Sequence, residues 1–259
     1  MEVIVRPDAE RAVDLAARLV ADRLRENPAL VLGLATGRTM ERVYDRLLAL
    51  APPFDRVTTF NLDEYIGLLP SDPASYRSTM RRLLLDRAGI PPARAHLPEA
   101  PPGADLRAVA LAYESAIAAA GGIGLQLLGI GATGHIGFNE PLSSLLSRTR
   151  DKTLTPETRR QNAPMFGGDP EAVPPRAMTM GVGTILDARE VLLLATGPHK
   201  AAIVAKALEG PVTSMVTASA LQLHPRCKVI LDEDAAGALE GRAYYDWVFL
   251  HEPDWAAYR

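Results

Sequence analysis

From Leu127 the chain reads Leu-Leu-Gly-Ile-Gly-Ala-Thr-Gly-His-Ile-Gly-Phe-Asn-Glu-Pro, ending at Pro141. An apolar run over residues 125–130 breaks into glycines at 129, 131, 134 and 137, then delivers His135, Asn139 and Glu140 in quick succession. Glycine admits positive φ and lets a ligand approach the backbone closely. A strand that ends in such a loop sets its polar side chains at the carboxyl edge of a sheet, where open α/β folds bind ligands. A histidine and a glutamate five residues apart suit proton transfer, because imidazole titrates near neutrality and a carboxylate can orient or charge it. The plainer alternative is a glycine-rich turn with a surface histidine.

Three further loops carry chemistry. Thr36-Gly37-Arg38-Thr39 joins an apolar strand to a helical segment. Backbone N–H groups at a helix start attract anions, and hydroxyls and a guanidinium add donors. The loop reads either as a phosphate cradle or as an ordinary capped turn. It has neither the P-loop lysine spacing nor the Gly-x-Gly-x-x-Gly fingerprint, so nucleoside triphosphates and dinucleotides are not favoured. Asp63 and Glu64 follow another apolar strand, and acids near a core are costly unless partnered or functional; Asp63 could instead cap a turn. Thr196-Gly197-Pro198-His199-Lys200 again follows a strand, and Lys200 is either a phosphate ligand or a solvated helix residue.

The elements that must hold these loops alternate. Strands are expected at 3–5, 30–34, 57–60, 125–130, 191–195 and 228–231. Helices are expected at 8–24 with Asp8 as N-cap, and at 40–50, 75–87 and 106–120. Residues 61–65 read as a loop emptied from the strand before them. This alternation predicts an α/β fold: a Rossmann-like, open, mostly parallel sheet covered by helices on both faces, in a single domain over residues 1–259. A chain of 259 residues suffices for one such domain. Proline-rich patches at 91–92, 98–102 and 174–175 read as surface loops. A net charge of −3 argues against nucleic acid as the main partner, while a local positive site for a small anion stays open. Cys227 is the only cysteine, which excludes an intrachain disulfide and a cysteine-based metal cluster. The start is not that of a signal peptide, and no apolar run nears the roughly 18 residues of a membrane span. A cytoplasmic protein without membrane contact is expected.

Read in order, six motifs resemble glucosamine-6-phosphate deaminase, also called glucosamine-6-phosphate isomerase. They are Leu32-Gly33-Leu34-Ala35-Thr36-Gly37, Thr59-Phe60-Asn61-Leu62-Asp63-Glu64-Tyr65, and Gly134-His135-Ile136-Gly137-Phe138-Asn139-Glu140-Pro141. Ser147-Arg148-Thr149-Arg150-Asp151-Lys152-Thr153-Leu154, Gly181-Val182-Gly183-Thr184 and Leu221-Gln222-Leu223-His224-Pro225 complete the set. The resemblance runs through most of the chain. The more distant 6-phosphogluconolactonase shares the architecture but is not expected to carry this set.

The resemblance implies conversion of glucosamine 6-phosphate and water to fructose 6-phosphate and ammonia, a hydrolase reaction of amino-sugar catabolism, with no metal or organic cofactor. It implies a homo-oligomer, commonly a hexamer in bacterial members. By the same resemblance Asp63 moves the proton between C2 and C1, His135 assists ring opening, and Glu140 holds and charges that histidine. Thr36, Gly37, Arg38, Thr39 and Lys200 match the segments that hold the substrate phosphate. Ser143, Arg150, Lys152 and Thr153, with Tyr244 as the C-terminal candidate, match an intersubunit site for the activator N-acetylglucosamine 6-phosphate; the alternative is a polar surface turn.

Two departures stand out. Thr133 occupies the position, two before the histidine, where the family has an acid or amide, so the imidazolium loses electrostatic support. Pro164 stands where the family's phosphate-binding arginine is expected, while Arg38 stands where well-known members carry glycine. The implied exchange has Arg38 supplying the guanidinium, with Arg159 or Arg160 as substitutes. The same chemistry on another hexosamine phosphate such as galactosamine 6-phosphate, an isomerase without ammonia release, and a non-catalytic sugar-phosphate-binding module are the competing readings.

Overall fold

The computed structural model describes residues 1–259. In chain order its main elements are β1 (Glu2–Arg6), α1 (Ala9–Glu26), β2 (Val31–Leu34), α2 (Arg38–Ala49), β3 (Thr58–Asn61), β4 (Asp63–Tyr65) and α3 (Tyr76–Met80). They continue with β5 (Ala95–His96), α4 (Leu106–Ala119), β6 (Leu125–Leu128), β7 (Arg150–Thr153), α5 (Pro156–Asn162), β8 (Arg176–Thr179), α6 (Val182–Leu186) and β9 (Glu190–Ala195). The last are α7 (Ala201–Leu208), β10 (Cys227–Asp232), α8 (Glu233–Ala236) and α9 (Arg242–His251).

Seven strands form one parallel sheet in the order β1-β10-β9-β6-β2-β3-β5. Every residue of β6 and β9 is buried, which is why both are mostly apolar and do not alternate with a polar face. The right-handed rule for parallel connections, applied to this strand order, puts α1 and α2, which pack together, on one face of the sheet and α4 and α7 on the other. Asp8 caps α1 by accepting the Arg11 N–H at 2.8 Å. Asp105 does the same for α4 through the N–H groups of Arg107 and Ala108. The chain leaves β2 toward β3 on one side and leaves β6 toward β9 on the other. The loops after β2 and β6 therefore diverge and open a crevice at the carboxyl edge of the sheet.

A second sheet, antiparallel and three-stranded, lies beside the first in the order β4-β8-β7. It corrects one expectation and removes one alternative reading. Residues 63–65 are a strand and not part of a loop, and the Arg150–Thr153 stretch is a strand and not a surface turn. Its apolar support is a separate cluster that includes Tyr65, Tyr76, Phe138 and Ala177. The expected helix over 75–87 is also corrected: α3 passes at Arg81 into a π turn that runs to Leu85.

Candidate active site

Asp63 and Glu64 are successive residues of β4, and strand alternation sends their side chains to opposite faces. Glu64 accepts the backbone N–H groups of Tyr65, Tyr76 and Arg77 at 2.8, 3.0 and 2.9 Å. It therefore holds the start of α3. Asp63, opposite Thr179 of β8, faces the crevice, is only 5 % exposed and receives no hydrogen bond from the chain. Burial, and then the neighbouring Glu64 charge, pushes its carboxyl well above the usual carboxylate range. A carboxylate in that state is a strong base poised to take a proton. Gly137, at φ +56°, passes directly over it. A Cβ there would stand 2.9 Å from Thr179 Oγ1 and 3.5 Å from Asp63 Oδ2.

The loop after β6 brings in the histidine. The imidazole of His135 lies against Gly131, where a Cβ would fall 2.1 Å from Nε2. Its Nδ1 is 2.9 Å from Thr133 Oγ1 and 3.4 Å from Glu140 Oε2. The threonine hydroxyl is thus the closer partner, and Glu140 Oε2 has no other. Glu140 Oε1 accepts from the Thr155 N–H and hydroxyl, each at 3.2 Å, and from the Thr158 hydroxyl. Burial raises the Glu140 carboxyl, but the hydrogen bond and charge of His135, with the Thr158 and Thr155 donors, outweigh it and hold the carboxyl down at about 2. Asn139 serves the loop rather than the cavity. Its amide donates to the carbonyls of Ile136 and Met180 at 2.9 and 2.7 Å and accepts from Arg150.

Another part of the crevice wall is cationic. Gly37, at φ +130°, starts α2 without a side-chain cap, and Thr36, Arg38 and Thr39 line the cavity beside it. Lys200, half-buried, donates to the Ile130 carbonyl at 2.8 Å. Burial, and then the charge of Arg38, lowers its ammonium pKa. The Lys200 loop is anchored from below, because both carboxylate oxygens of Asp232 accept the Gly197 N–H at 3.0 Å. Arg159 and Arg160 do not join this part. Arg159 donates to Val173 O and pairs with Glu171, Arg160 pairs with Glu157, and Pro164 and Met165 line the cavity in their stead. All these walls enclose one cleft of about 300 Å³ holding Asp63, His135, Arg38 and Lys200, a size suited to a small ligand.

Residues 8–229 match the family model described as glucosamine-6-phosphate isomerases/6-phosphogluconolactonase. The chain belongs to this family. It is 48% identical over 259 residues to a glucosamine-6-phosphate deaminase of Streptomyces coelicolor, covering 98% of this chain and 99% of the relative. A deaminase of the same name from Hahella chejuensis is 49% identical over 252 residues, covering 96% and 95%. Among solved structures, a monomeric glucosamine-6-phosphate deaminase superposes with a TM-score of 0.87 at 41% identity, covering 92% of this chain and all of that one. A 6-phosphogluconolactonase of Trypanosoma brucei shares the fold at TM-score 0.72 and 22% identity, covering 92% and 98%.

In this glucosamine-6-phosphate isomerase/6-phosphogluconolactonase family member the remaining expected residues lie outside the cleft. Ser143 is buried with an unpartnered hydroxyl, and Arg150 on β7 reaches Asn139 at 2.8 Å while its Nη2 is buried without a partner. Lys152 and Thr153 continue β7. Tyr244 is exposed on α9, which packs against β1 at the far edge of the large sheet. The single chain therefore does not bring Tyr244 to the others. Sequence reading missed Arg82 and Tyr76, which also line the cleft. Their signal was the three-residue spacing of Tyr76, Thr79 and Arg82 along one helical face.

Proposed function

We propose that the chain is an amino-sugar phosphate deaminase/isomerase that converts glucosamine 6-phosphate and water to fructose 6-phosphate and ammonia. The observation that carries this reading is Asp63: a buried carboxylate without a donor, in the same cleft as the His135–Glu140 pair and the Arg38–Lys200 end. The phosphate sits at the start of α2 against Thr36, Gly37, Arg38, Thr39 and Lys200. His135, oriented by Thr133 and Glu140, moves the proton that opens the sugar ring. Asp63 then takes the proton from C2, acidified by the C1 aldehyde, and the electron pair forms an enolamine. Return of that proton to C1 leaves an imine at C2, and water adds there as ammonia departs. A binding module needs neither a base nor an acid, so the strained placement of Asp63 favours turnover over binding alone.

Ammonia release measured against a panel of hexosamine 6-phosphates tests this directly. Release from the glucosamine compound in preference to the galactosamine compound is expected, and release from none would remove the reading. Because a phosphorylated sugar is retained within the cell, a cytoplasmic enzyme is part of the same proposal.

The proposal extends to control. Ser143, Arg150, Lys152 and Thr153 would bind the phosphate of N-acetylglucosamine 6-phosphate, with Tyr244 contributed by a neighbouring copy of the chain. The buried, unpartnered Ser143 Oγ and Arg150 Nη2 support an anion there, and exposed Leu142 and Leu146 support a homo-oligomer, a hexamer included. Activation by that compound, together with a sedimentation mass above one chain, is the expected result. A monomer without activation would overturn it.

A further inference from the structure

One cation on the cleft wall has no part in the chemistry above. Arg82 lies on the π turn that continues α3, and Tyr76, Thr79 and Arg82 all line the cleft. One face of this helical unit is therefore given to the cavity. π turns inside helices are frequent at functional sites because they re-aim side chains locally. This one packs against α2, the helix whose first residues form the phosphate end.

The arginines beside Arg82 are engaged. Glu99 holds Arg77 through two contacts of 2.9 Å, and Asp86 holds Arg81 at 3.2 Å. Arg82 has no hydrogen bond or ion pair within the chain, and the same is true of Arg38. Glu41 and Asp63 also line the cleft, but neither lies within ion-pair distance of Arg82. Two uncommitted, exposed guanidinium groups thus line one cleft with Lys200. The Arg38 charge reaches Lys200, and a dianion entering the cleft would meet these uncommitted cations.

We propose that Arg82 is a second guanidinium grip on the substrate phosphate, filling with Arg38 the role left open at Pro164. The inference rests on the sugar-phosphate reading of the cleft. A phosphate offers three terminal oxygens, and a guanidinium binds two of them in a planar fork that an ammonium cannot reproduce. Arg38 and Arg82, arriving from α2 and from the π turn, can share those oxygens with Lys200 and the α2 N–H groups.

The test is binding of inorganic phosphate and of fructose 6-phosphate by titration calorimetry, in the wild-type protein and in Arg82→Gln and Arg82→Lys. Arg82→Gln should raise Kd for both ligands by about tenfold, equivalent to about 1.4 kcal/mol. KM should rise in step while kcat stays within about twofold, the signature of a uniform binding contact. Arg82→Lys should recover part of the loss. Arg82 is exposed, so unchanged melting temperatures are expected to show that the variants fold. Unchanged Kd in Arg82→Gln overturns the assignment, as does a fall in kcat at constant Kd. Binding requires no turnover. A wild-type protein that binds fructose 6-phosphate through Arg82 but releases no ammonia supports this grip while removing the deaminase reading.

Discussion

Asp63 and Glu64 carry the same functional group, and what separates them is the donors each one meets. Three backbone N–H groups converge on Glu64, whereas none reaches Asp63. Asp63→Asn is accordingly expected to retain phosphate-ligand affinity while lowering kcat by roughly two to four orders of magnitude, the scale of a lost general base. Exchange of the C2 proton in deuterated water should vanish with turnover; exchange at the normal rate would assign the base elsewhere. Thr133 makes a finer point. Its hydroxyl is nearer to His135 Nδ1 than the Glu140 carboxylate is. Thr133→Val should therefore slow turnover of ring-closed substrate about tenfold, the worth of one hydrogen bond to a charged group. An open-chain analogue should be processed at the wild-type rate, and equal losses on both would show that the hydroxyl serves a later step. The cleft positions of Asp63, His135 and Lys200 were legible because each follows an apolar run. Arg82 was not, because a polar helix face reads as solvent-facing until the fold shows what it opposes.

At the level of elements, the site depends on a sheet that the residue pattern conceals. Most strands of the large sheet announce themselves as buried runs rich in Val, Ile and Leu, but β5, only Ala95-His96, does not. β4 has three residues, and β7 reads Arg-Asp-Lys-Thr, so neither has the length or the alternation from which strands are recognised. Both exist because β8 pairs with them, and that pairing is long-range. The π turn after α3 is equally hidden, since nothing in the residues 81–85 distinguishes it from an α-helical turn. Glu64 ties these pieces together by capping α3 from β4. Glu64→Ala leaves buried N–H groups without acceptors, at about 1–3 kcal/mol for each group not rescued by water. For a chain of this size that is a fall in melting temperature of roughly 3–10 °C. A shift within error in thermal unfolding would mean that α3 is held by packing alone.

For the whole molecule, the alternating pattern was sufficient to place six of the seven strands of the large sheet and its ligand-binding edge, though not the edge strand β5, because parallel strands with crossover helices admit few arrangements. What it could not convey is that the fold accommodates a charge which opposes its own stability. Burial raises the Asp63 carboxyl, so the folded chain binds that proton more tightly than the unfolded chain does. Stability linked to Asp63 is therefore complete at acid pH and declines as pH rises from the usual carboxylate range toward the elevated value. Glu140 runs the other way. Its carboxyl is held at about 2 against an ordinary value of 4.5, so its contribution is complete above 4.5 and is lost as pH falls toward 2. Asp63→Asn abolishes the first effect and leaves the second. At about pH 8 the variant should melt at a higher temperature than the wild-type protein, an inactive enzyme gaining stability as active-site trade-offs predict. The difference between the two melting curves should shrink as pH is lowered, because the wild-type carboxyl regains its proton, while both proteins lose the Glu140 contribution together. An Asp63→Asn protein no more stable than wild type at about pH 8 would show that the charge on Asp63 is compensated within the fold, and the strained-base account of the site would fall with it.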